Sequence, residues 1–531
     1  MGDGASETHA VDDAMTTPAT SIALERPQLS LLALVAGTAF ALHAAFYAGY
    51  GWFRDELYFL ACSEHLAWGF VDAPPGVPVV LWLSRALLGD GLFAARFVPI
   101  LFATLLVLLA GLTAHAMGGG RWAQALAALA VLAAPFWFSS YLNTDMFVNV
   151  GWAACAYLVT RILAGSDSRL WIAAGAVTGL AFEGKHSIAL FASALVVGLL
   201  LTPQRRVLED RRFWAGVAIA VLIALPNVAW EIAYGWPTVE LLSNIAHSTK
   251  NVELGPLGYL LTNIAYLSPV TLPLWGAGLV WCAFDRVGQR FRAFAVAWGI
   301  AFAALVVLKG KGYYLTPMFS TLFGAGAVAI EAWILRRPAP RQRAWRIGVI
   351  AALLVGCVPL WPFSMPMLPV ERFLAYQRAL HLAPPRTETQ PLGELPQQYA
   401  DMFGWPELAT AVARVYRSLP ESERAGCGIY ASNYGEAGAI DQHRQALGLP
   451  PVLSGHQNYW LWGPRGYDGH CLVVIGAGRV TLERYFEQVV QAGEADHPYA
   501  VPAERHLPIW VVHGLRGGGL QTLWPMLKHW Q

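Results

Sequence analysis

The sequence predicts a mainly α-helical, polytopic membrane protein with a C-terminal extracytoplasmic α/β domain. Of its 531 residues, 56% are hydrophobic and only 13% are charged, whereas soluble domains carry about 25% charged residues. The apolar residues lie in runs of about 17–25, the length that crosses a hydrocarbon core of about 30 Å. The net charge of +1 gives no sign of nucleic-acid binding. The histidines and cysteines lack the spacing of a zinc module.

About eleven segments are predicted to be membrane spans because they are long and apolar. They cover residues 29–50, 96–117, 122–140, 146–163, 170–183, 186–202, 214–231, 257–283, 293–308, 313–334 and 346–362. Two of them, 170–183 and 186–202, are short and follow each other closely, which is compatible with tilted or re-entrant segments.

The distribution of cations predicts the orientation of these spans, because cytoplasmic loops are enriched in Lys and Arg. Alternate loops carry Arg161 and Arg169, four arginines in 205–212, three in 286–292 and five in 336–346. The opposite loops hold few cations, mainly lysines. We therefore expect the N-terminus inside and residues from about 363 outside. The polar segment 1–28 lacks the features of a signal peptide and is expected to be a disordered cytoplasmic tail. The transmembrane domain is then 29–362, and the α/β domain is 363–531.

The first external loop, residues 51–95, is predicted to contain a helix that lies in the membrane interface. In the stretch PPGVPVVLWLSRALLG (74–89), Val79, Trp82, Leu83, Ala86 and Leu87 recur at helical spacing, with Arg85 on the opposite face. An apolar stripe opposite a charge is typical of an interfacial amphipathic helix.

The C-terminal region predicts alternating strands and helices. Strands are expected at CGIYAS (427–432), PPVLSG (450–455), HCLVVIG (470–476) and LPIWVVHG (507–514), and helices at 434–448 and 481–493. Cys427 and Cys471 each begin a strand; a disulfide between them and two separate buried thiols both fit an oxidising compartment. The aromatic segment 454–463 is compatible with a sugar-contacting loop or with a domain core.

Four charged clusters lie at the external ends of the predicted spans, where charges are costly enough to suggest function. They are Arg54-Asp55-Glu56, Asn143-Thr144-Asp145, Glu183-Gly184-Lys185-His186 and Lys309-Gly310-Lys311-Gly312-Tyr313-Tyr314. Each has a structural alternative: a solvated helix end, an N-cap, an ion pair in a tight turn, and snorkelling lysines in an aromatic belt, respectively. Together they suit one cavity in which cations hold an anionic leaving group beside a carboxylate base.

The segment Phe53-Arg54-Asp55-Glu56-Leu57-Tyr58, followed by HLAWGFVDAPP (65–75), resembles the first external loop of bacterial glycosyltransferase family 39. These proteins are relatives of the protein O-mannosyltransferases and the lipid A aminoarabinose transferases. Asn143-Thr144-Asp145, Gly184-Lys185-His186-Ser187 and Tyr313-Tyr314-Leu315-Thr316-Pro317 are similar to segments at corresponding places, so the resemblance covers about residues 30–330. It implies a GT-C fold, a lipid-phosphate sugar donor, inversion at the anomeric carbon and an essential acid that matches Asp55.

The predicted site follows from this chemistry. Asp55 is expected to be the general base, with Glu56 positioning the acceptor or a cation. Lys185, Lys309 or Lys311 would stabilise the departing phosphate, and the helix that carries Arg85 would help to admit the lipid tail. The remaining substrate-binding candidates are Arg54, Asp145, His186, Tyr313 and Tyr314. No dedicated metal site is evident, although a divalent metal ion could share the charge of the phosphate.

The expected partners are a polyprenyl-phosphate sugar donor, membrane lipids and an envelope glycan, lipid or protein as acceptor, in the inner membrane of a bacterial cell. A lipid or sugar transporter is an alternative, but it would need functional polar groups near the middle of the membrane. A polysaccharide ligase or polymerase of the GT-C superfamily is another, distinguished by a diphosphate-linked donor.

Overall fold

The computed structural model describes residues 26–135, 141–383 and 388–531, so residues 1–25 of the predicted tail lie outside the described part. The helices of the N-terminal two-thirds are α1 Leu29–Phe46, α2 Arg54–Glu64, α3 Gly76–Leu88, α4 Leu92–Ala116, α5 Arg121–Ala133, α6 Asp145–Leu163, α7 Leu170–Phe182, α8 Ile188–Leu200, α9 Arg211–Ala233, α10 Pro237–His247, α11 Pro256–Leu267, α12 Leu272–Phe284, α13 Arg292–Val307, α14 Phe319–Leu335 and α15 Ala339–Cys357. This mainly helical bundle confirms the predicted fold class.

The number of full spans is smaller than the eleven that the sequence predicts. Within the described residues, seven helices are long and apolar enough to cross a membrane, or up to nine if each of two bent helix pairs counts as one span. One such pair is α11 with the segment through α12, bent by 96°, where the sequence indicates a single span at 257–283. The other two predicted spans correspond to α5 and α7, of 13 residues each. At 1.5 Å per residue these reach only about 20 Å.

The helix α3 has the amphipathic character that the sequence predicts for an interfacial helix. Leu81 is buried, whereas Trp82 and Leu87 on the predicted apolar stripe are exposed. The opposite side is fixed by Arg85, which donates to Asp90 and Glu64 at 2.6 and 3.3 Å. An exposed apolar stripe beside a charged edge suits a helix lying along a lipid surface.

The C-terminal third adds the helices α16 Val370–Ala379, α17 Gln397–Ala400, α18 Trp405–Ser418, α19 Glu421–Arg424, α20 Tyr434–Leu447, α21 Asn458–Leu461, α22 Arg479–Tyr485 and α23 Leu520–Leu523. Its strands are β1 Cys427–Ala431, β2 Val452–Leu453, β3 Cys471–Ile475, β4 Phe486–Ala495 and β5 Leu507–Leu515. They form one sheet in the order β2-β1-β3-β5-β4, in which β1 is parallel to β2 and β3, and β5 is antiparallel to β3 and β4.

The four predicted strands and the helix at 434–448 are confirmed, but the helix predicted at 481–493 is wrong in its second half. The chain leaves α22 at Tyr485 and continues as β4. Val489 and Val490 pair there with Val512 and Val511. β-branched residues favour a pleated surface, and the polar side chains on either side of these two valines suit an exposed edge strand.

Cys427 and Cys471 form a disulfide between β1 and β3, which resolves the alternative that the sequence leaves open. They stand directly opposite each other in the parallel pair. The other four cysteines, Cys62, Cys155, Cys282 and Cys357, are buried thiols. The bridge closes a loop across 44 residues of the α/β domain, and a bridge of this kind contributes about 2–4 kcal/mol.

The first external loop and the bundle are joined by a buried ion pair. Glu56 is fully buried, and Arg96 near the start of α4 is 1% exposed. The Glu56 carboxylate accepts from Arg96 Nε and Nη2 at 2.9 and 2.7 Å and from the backbone N–H groups of Phe53 and Leu142, both at 2.9 Å. Arg96 also donates to the carbonyl of Gly51. This network fixes where α2 begins and occupies both oxygens of the buried Glu56 carboxylate. The positioning of the acceptor or a cation by Glu56 stays a prediction.

The α/β domain packs directly on the first external loop. A Cβ atom at Gly438 of α20 would lie 2.7 Å from the carbonyl carbon of Leu57 in α2. Leu57 and Phe59 of α2 share one hydrophobic cluster with Ile440 of α20 and Val412 of α18. The α/β domain and the first external loop therefore pack together through a shared hydrophobic core.

The disulfide predicts the outcome of a labelling experiment. Alkylation of the denatured protein without reductant should add four adducts, because only four of the six cysteines are free. Alkylation after reduction should add six, and intact mass spectrometry distinguishes the two counts. Six adducts without reductant would contradict the bridge.

The buried pair predicts that Glu56→Gln destabilises the protein. Removal of one partner leaves the Arg96 charge uncompensated in the interior, which costs about 3–5 kcal/mol. We expect a clearly lower unfolding temperature of the purified protein in detergent, whereas Glu64→Gln at a half-exposed position should change it little. A Glu56→Gln variant of normal stability that loses turnover would support the catalytic role predicted from the sequence.

Candidate active site

Asp55 lies in the first turn of α2, at one end of the helix bundle. Adjacent residues on a helix point about 100° apart, so Glu56 faces the protein interior while the Asp55 side chain remains 35% exposed. Its Oδ1 accepts a hydrogen bond from the Tyr434 hydroxyl at 2.8 Å and lies 3.6 Å from Arg54 Nε. Among the described residues, no hydrogen bond or ion pair reaches Oδ2. Asp55 is therefore an oriented carboxylate with one oxygen available.

Arg54 is enclosed by the C-terminal third of the chain. Its guanidinium lies 3.5 Å from Asp401 and 5.5 Å from the centre of the Tyr434 ring. Its backbone N–H donates to the Asp401 carbonyl at 3.0 Å. Burial raises the pKa of Asp401 to about 7, although the charge of Arg54 acts in the opposite direction. Arg54 therefore joins the first external loop to residues that precede α18.

Lys185 and Asp145 form an ion pair at the same end of the bundle, 2.6 Å apart. The Lys185 ammonium also lies 4.6 Å from the centre of the Tyr314 ring. Burial opposes its charge, but Asp145, Tyr314 and Asp55 outweigh burial and raise the pKa of Lys185. Asp145 is not the N-cap of α6, since Asn143 accepts from the backbone N–H of Met146 instead.

His186 connects the loop between α7 and α8 to two other segments. Its Nε2 lies 2.8 Å from Asn227 Oδ1 in α9, and the amide of Asn227 donates to the carbonyl of Trp68 in the first external loop. The predicted site residue His186 is thus held by side chains that position it, close in sequence to Lys185.

Lys311 is paired with Glu388, a residue that the sequence analysis did not select. Their charged groups are 2.9 Å apart, and the amides of Gln390 and Gln397 also donate to Glu388. Burial disfavours the charge of Glu388, but Lys311 and Lys250 together hold its pKa at about 2. The pair connects the loop before α14 to the segment before α17.

Lys250 is a second residue that sequence reasoning missed as a site residue. Burial lowers its pKa, and the charges of Lys311 and Arg54 add to this effect while Glu388 and Asp55 oppose it. Among the described residues, no Asp or Glu side chain forms an ion pair with its ammonium, which contacts the main-chain oxygen of Gln531 at 3.4 Å. In the sequence, Lys250 is recognisable only as one lysine in a loop that is predicted to be external, which does not single it out as a site residue.

Three predicted binding residues take other positions. Lys309 pairs with Glu253 at 2.6 Å, and both side chains are more than half exposed. Arg85 is held by Asp90 and Glu64 near the end of α3. Tyr313 contacts Tyr314 and Tyr266 through its ring, with centroids 5.0 and 6.3 Å away. Of these, only Tyr313 adjoins a ring that contacts Lys185.

One further acid and two tyrosines complete the surroundings of Asp55. Tyr58, one turn along α2, donates to Asp72 at 2.8 Å. Burial raises the pKa of Asp72 to about 6, and the charge of Asp55 contributes. Tyr434 comes from α20, nearly 380 residues further along the chain. A signal for its placement exists in YGEAG (434–438), where two glycines three residues apart on a helix allow a close helix contact.

The residues around Asp55 do not assemble a metal-binding group in the part of the chain that the structure describes. The one group of three potential ligands with mutually close donor atoms there is Glu423, Cys471 and His513. The Cys471 sulfur is bonded to Cys427, and a disulfide sulfur does not replace a thiolate ligand.

The site can be compared with known proteins. Residues 72–230 match the family described as dolichyl-phosphate-mannose-protein mannosyltransferase. A curated relative, the lipid A galacturonosyltransferase RgtD of Rhizobium johnstonii, is 22% identical over 359 residues, 64% of this chain and 72% of the relative.

Solved structures share the architecture. ArnT from Cupriavidus metallidurans bound to undecaprenyl phosphate superimposes with a TM-score of 0.57 at 15% identity, over 91% of this chain and 97% of ArnT. The archaeal oligosaccharyltransferase AglB from Archaeoglobus fulgidus, in complex with an inhibitory peptide and a dolichol-phosphate, gives 0.53 at 12% identity, over 78% and 63% of the two chains. The family model over residues 72–230 and the curated relative agree with the resemblance in the first external loop, and the solved structures show that the chain has the GT-C fold of ArnT and AglB.

Proposed function

We propose that this protein is an inverting glycosyltransferase that moves a sugar from a polyprenyl-phosphate donor to an envelope acceptor, with Asp55 as general base. The observation that carries the proposal is the Asp55 carboxylate, partly exposed and oriented by neighbours on Oδ1, beside the basic residues Arg54, Lys185, Lys250 and Lys311. The names of the relatives support a lipid-phosphate donor. A first acceptor to test is lipid A, given the relative RgtD.

One carboxylate is sufficient for this reaction. Glycosidases need a second acid because the leaving alcohol has to be protonated. A polyprenyl phosphate leaves as a stable anion, so the donor needs positive charge rather than a proton. Asp55 Oδ2 takes the proton of the acceptor hydroxyl as its oxygen bonds to the anomeric carbon, while the bond from that carbon to the phosphate oxygen breaks. Attack opposite the leaving phosphate inverts the anomeric configuration.

Lys250 is the cation best placed to receive the phosphate. Lys185 and Lys311 already have carboxylate partners at 2.6 and 2.9 Å, so the negative charge of each partner cancels part of the attraction that either lysine exerts on an anionic ligand. The charges of Arg54, Lys311 and Asp55 all act on Lys250, which supports its inclusion in the proposed phosphate site. Fixed positive charge in a partly desolvated site stabilises an anion that develops in the transition state.

The site lies at the ends of helices that the arginine pattern predicts to be external. α1 and α7 end there and α4, α6 and α8 begin there, whereas Arg161, Arg211 and Arg292 lie at the opposite helix ends. The enrichment of arginines in cytoplasmic loops supports an outer-face reaction in the inner membrane. Charges concentrated at one face favour an enzyme over an alternating-access transporter.

Asp55→Asn is expected to abolish transfer while leaving the fold intact. The amide keeps the shape and can still accept from Tyr434, but it cannot take a proton, and loss of a general base costs about 10²–10⁴-fold in rate. The measurement is transfer of radiolabelled sugar from a polyprenyl-phosphate donor in membranes. Asp167→Asn in an exposed loop at the opposite end is the matched control. Near-normal turnover of correctly folded Asp55→Asn would overturn the proposal.

Lys250→Ala is expected to weaken donor binding by about tenfold or more, because a charge-assisted hydrogen bond contributes about 1.5–3 kcal/mol. Lys309→Ala, the same change at a lysine that faces solvent, should weaken it much less. Donor affinity is measured by equilibrium binding of a labelled polyprenyl phosphate in detergent. Equal affinities of the two variants would remove Lys250 from the phosphate site.

A further inference from the structure

We propose that Tyr434 of the C-terminal α/β domain is a positioning residue for Asp55, so that this domain completes the catalytic centre instead of serving as an accessory. The inference rests on the proposed role of Asp55 as general base. It is carried by the hydrogen bond from the Tyr434 hydroxyl to Asp55 Oδ1 at 2.8 Å and by the way the domain holds the tyrosine in place.

The Tyr434 side chain is fixed on several sides. Its ring lies 4.9 Å from the ring of Tyr58 and 4.9 Å from that of His456, and the Arg54 guanidinium lies 5.5 Å from its centre. Burial raises the pKa of Tyr434, and the charge of Asp55 reinforces this against the opposing charge of Arg54. The phenol therefore stays protonated and acts as a hydrogen-bond donor to the carboxylate.

The backbone of Tyr434 is equally constrained, because the residue begins α20. Asn433 is the N-cap, and its side chain accepts from the N–H groups of Gly435 and Glu436 at 2.9 and 3.0 Å. The N–H of Tyr434 donates to His456 Nδ1 at 3.3 Å. The N–H groups of Tyr434, Gly435 and Glu436, which have no partner within the helix, are therefore all hydrogen-bonded, as a stable helix start requires.

The position within the sheet gives a reason for a functional residue here. Tyr434 follows the carboxyl end of β1, which lies between the parallel strands β2 and β3. The connection from β1 runs through α20 to β2 on one side, whereas the connection from β3 runs through α22 to β4 on the other side. A point where neighbouring connections diverge in this way is where α/β sheets commonly place ligand-contacting residues. In this protein this end of the sheet faces the helix bundle, and Tyr434 contacts Asp55 there instead of a ligand.

Two glycines fix the distance between α20 and α2. A Cβ atom at Gly435 would lie 2.5 Å from Arg54 Cγ, and one at Gly438 would lie 2.7 Å from the carbonyl carbon of Leu57. Any larger side chain would push the helices apart. The reach of Tyr434 to Asp55 is therefore set by contacts at the level of the backbone rather than by side-chain flexibility.

The consequence is an oriented base. The hydrogen bond from Tyr434 and the approach of Arg54 both involve Oδ1, which turns Oδ2 toward the acceptor hydroxyl. Orientation of a base relative to its substrate accelerates proton transfer. Loss of the phenol would let the carboxylate rotate and would remove a hydrogen bond that stabilises its ionised form.

The test compares Tyr434→Phe with Tyr459→Phe. Tyr459 is a matched control because it is also buried in the α/β domain and donates to an aspartate, Asp441, at 2.9 Å. For Tyr434→Phe we expect kcat to fall about tenfold and its acidic limb to move to higher pH, with donor affinity unchanged. Tyr459→Phe should keep the kcat and the pH profile of the parent protein.

The outcomes separate the two proposals. Transfer by Asp55→Asn in the same assay would overturn the proposed function itself. If Asp55→Asn is inactive but Tyr434→Phe matches Tyr459→Phe in kcat and pH profile, the positioning role of Tyr434 is overturned while the function stands. A lower kcat with an unshifted pH profile and a lower unfolding temperature would also overturn it, since a merely structural role predicts that result.

Discussion

The site depends on one buried ion pair, between Glu56 of α2 and Arg96 of α4. Four donors converge on the Glu56 carboxylate, so the ion pair is fully hydrogen-bonded, the condition under which a buried charge is tolerated. The pair fixes both the starting residue of α2 and its rotation about the helix axis. Because Asp55 is the preceding residue, its direction follows: when Glu56 points into the protein, Asp55 points out of it. The buried Glu56 carboxylate thus sets the direction of the Asp55 carboxylate.

A second constraint comes from the far end of the chain. Arg54 and Asp55 lie on the membrane side of the site, but their partners Asp401 and Tyr434 belong to the C-terminal third, and Glu388 of that third holds Lys311. The charged groups of the bundle and those of the external region therefore neutralise one another across a shared boundary. Unpaired charges in such a partly buried place would be costly, which links the folding of the external domain to the formation of the site.

The sequence was sufficient for the elements whose signals are local. Apolar runs predict the helices of the bundle, a stripe from Val79 to Leu87 predicts the interfacial helix, and β-branched runs predict four of five strands. The helix expected across Val489 and Val490 failed because pairing with β5 outweighed local helix propensity. Only some residues of the proposed site could be predicted, for a related reason. Asp55, Lys185 and Lys311 stand in charged clusters of the sequence. The proposed roles of Tyr434 and Lys250 depend on contacts with residues that are distant in the sequence.

The chemistry explains why such a division of labour can work. In the proposed reaction the phosphate leaving group needs positive charge and no proton, so one base and several cations are sufficient. The cations can come from separate loops, since electrostatic attraction acts over several ångströms. A base must instead meet one hydroxyl at hydrogen-bond distance and in the right direction. Two sets of close contacts accordingly fix the position of Asp55. The Glu56 network holds it from one side, and the close approach of α20 at its glycines holds it from the other.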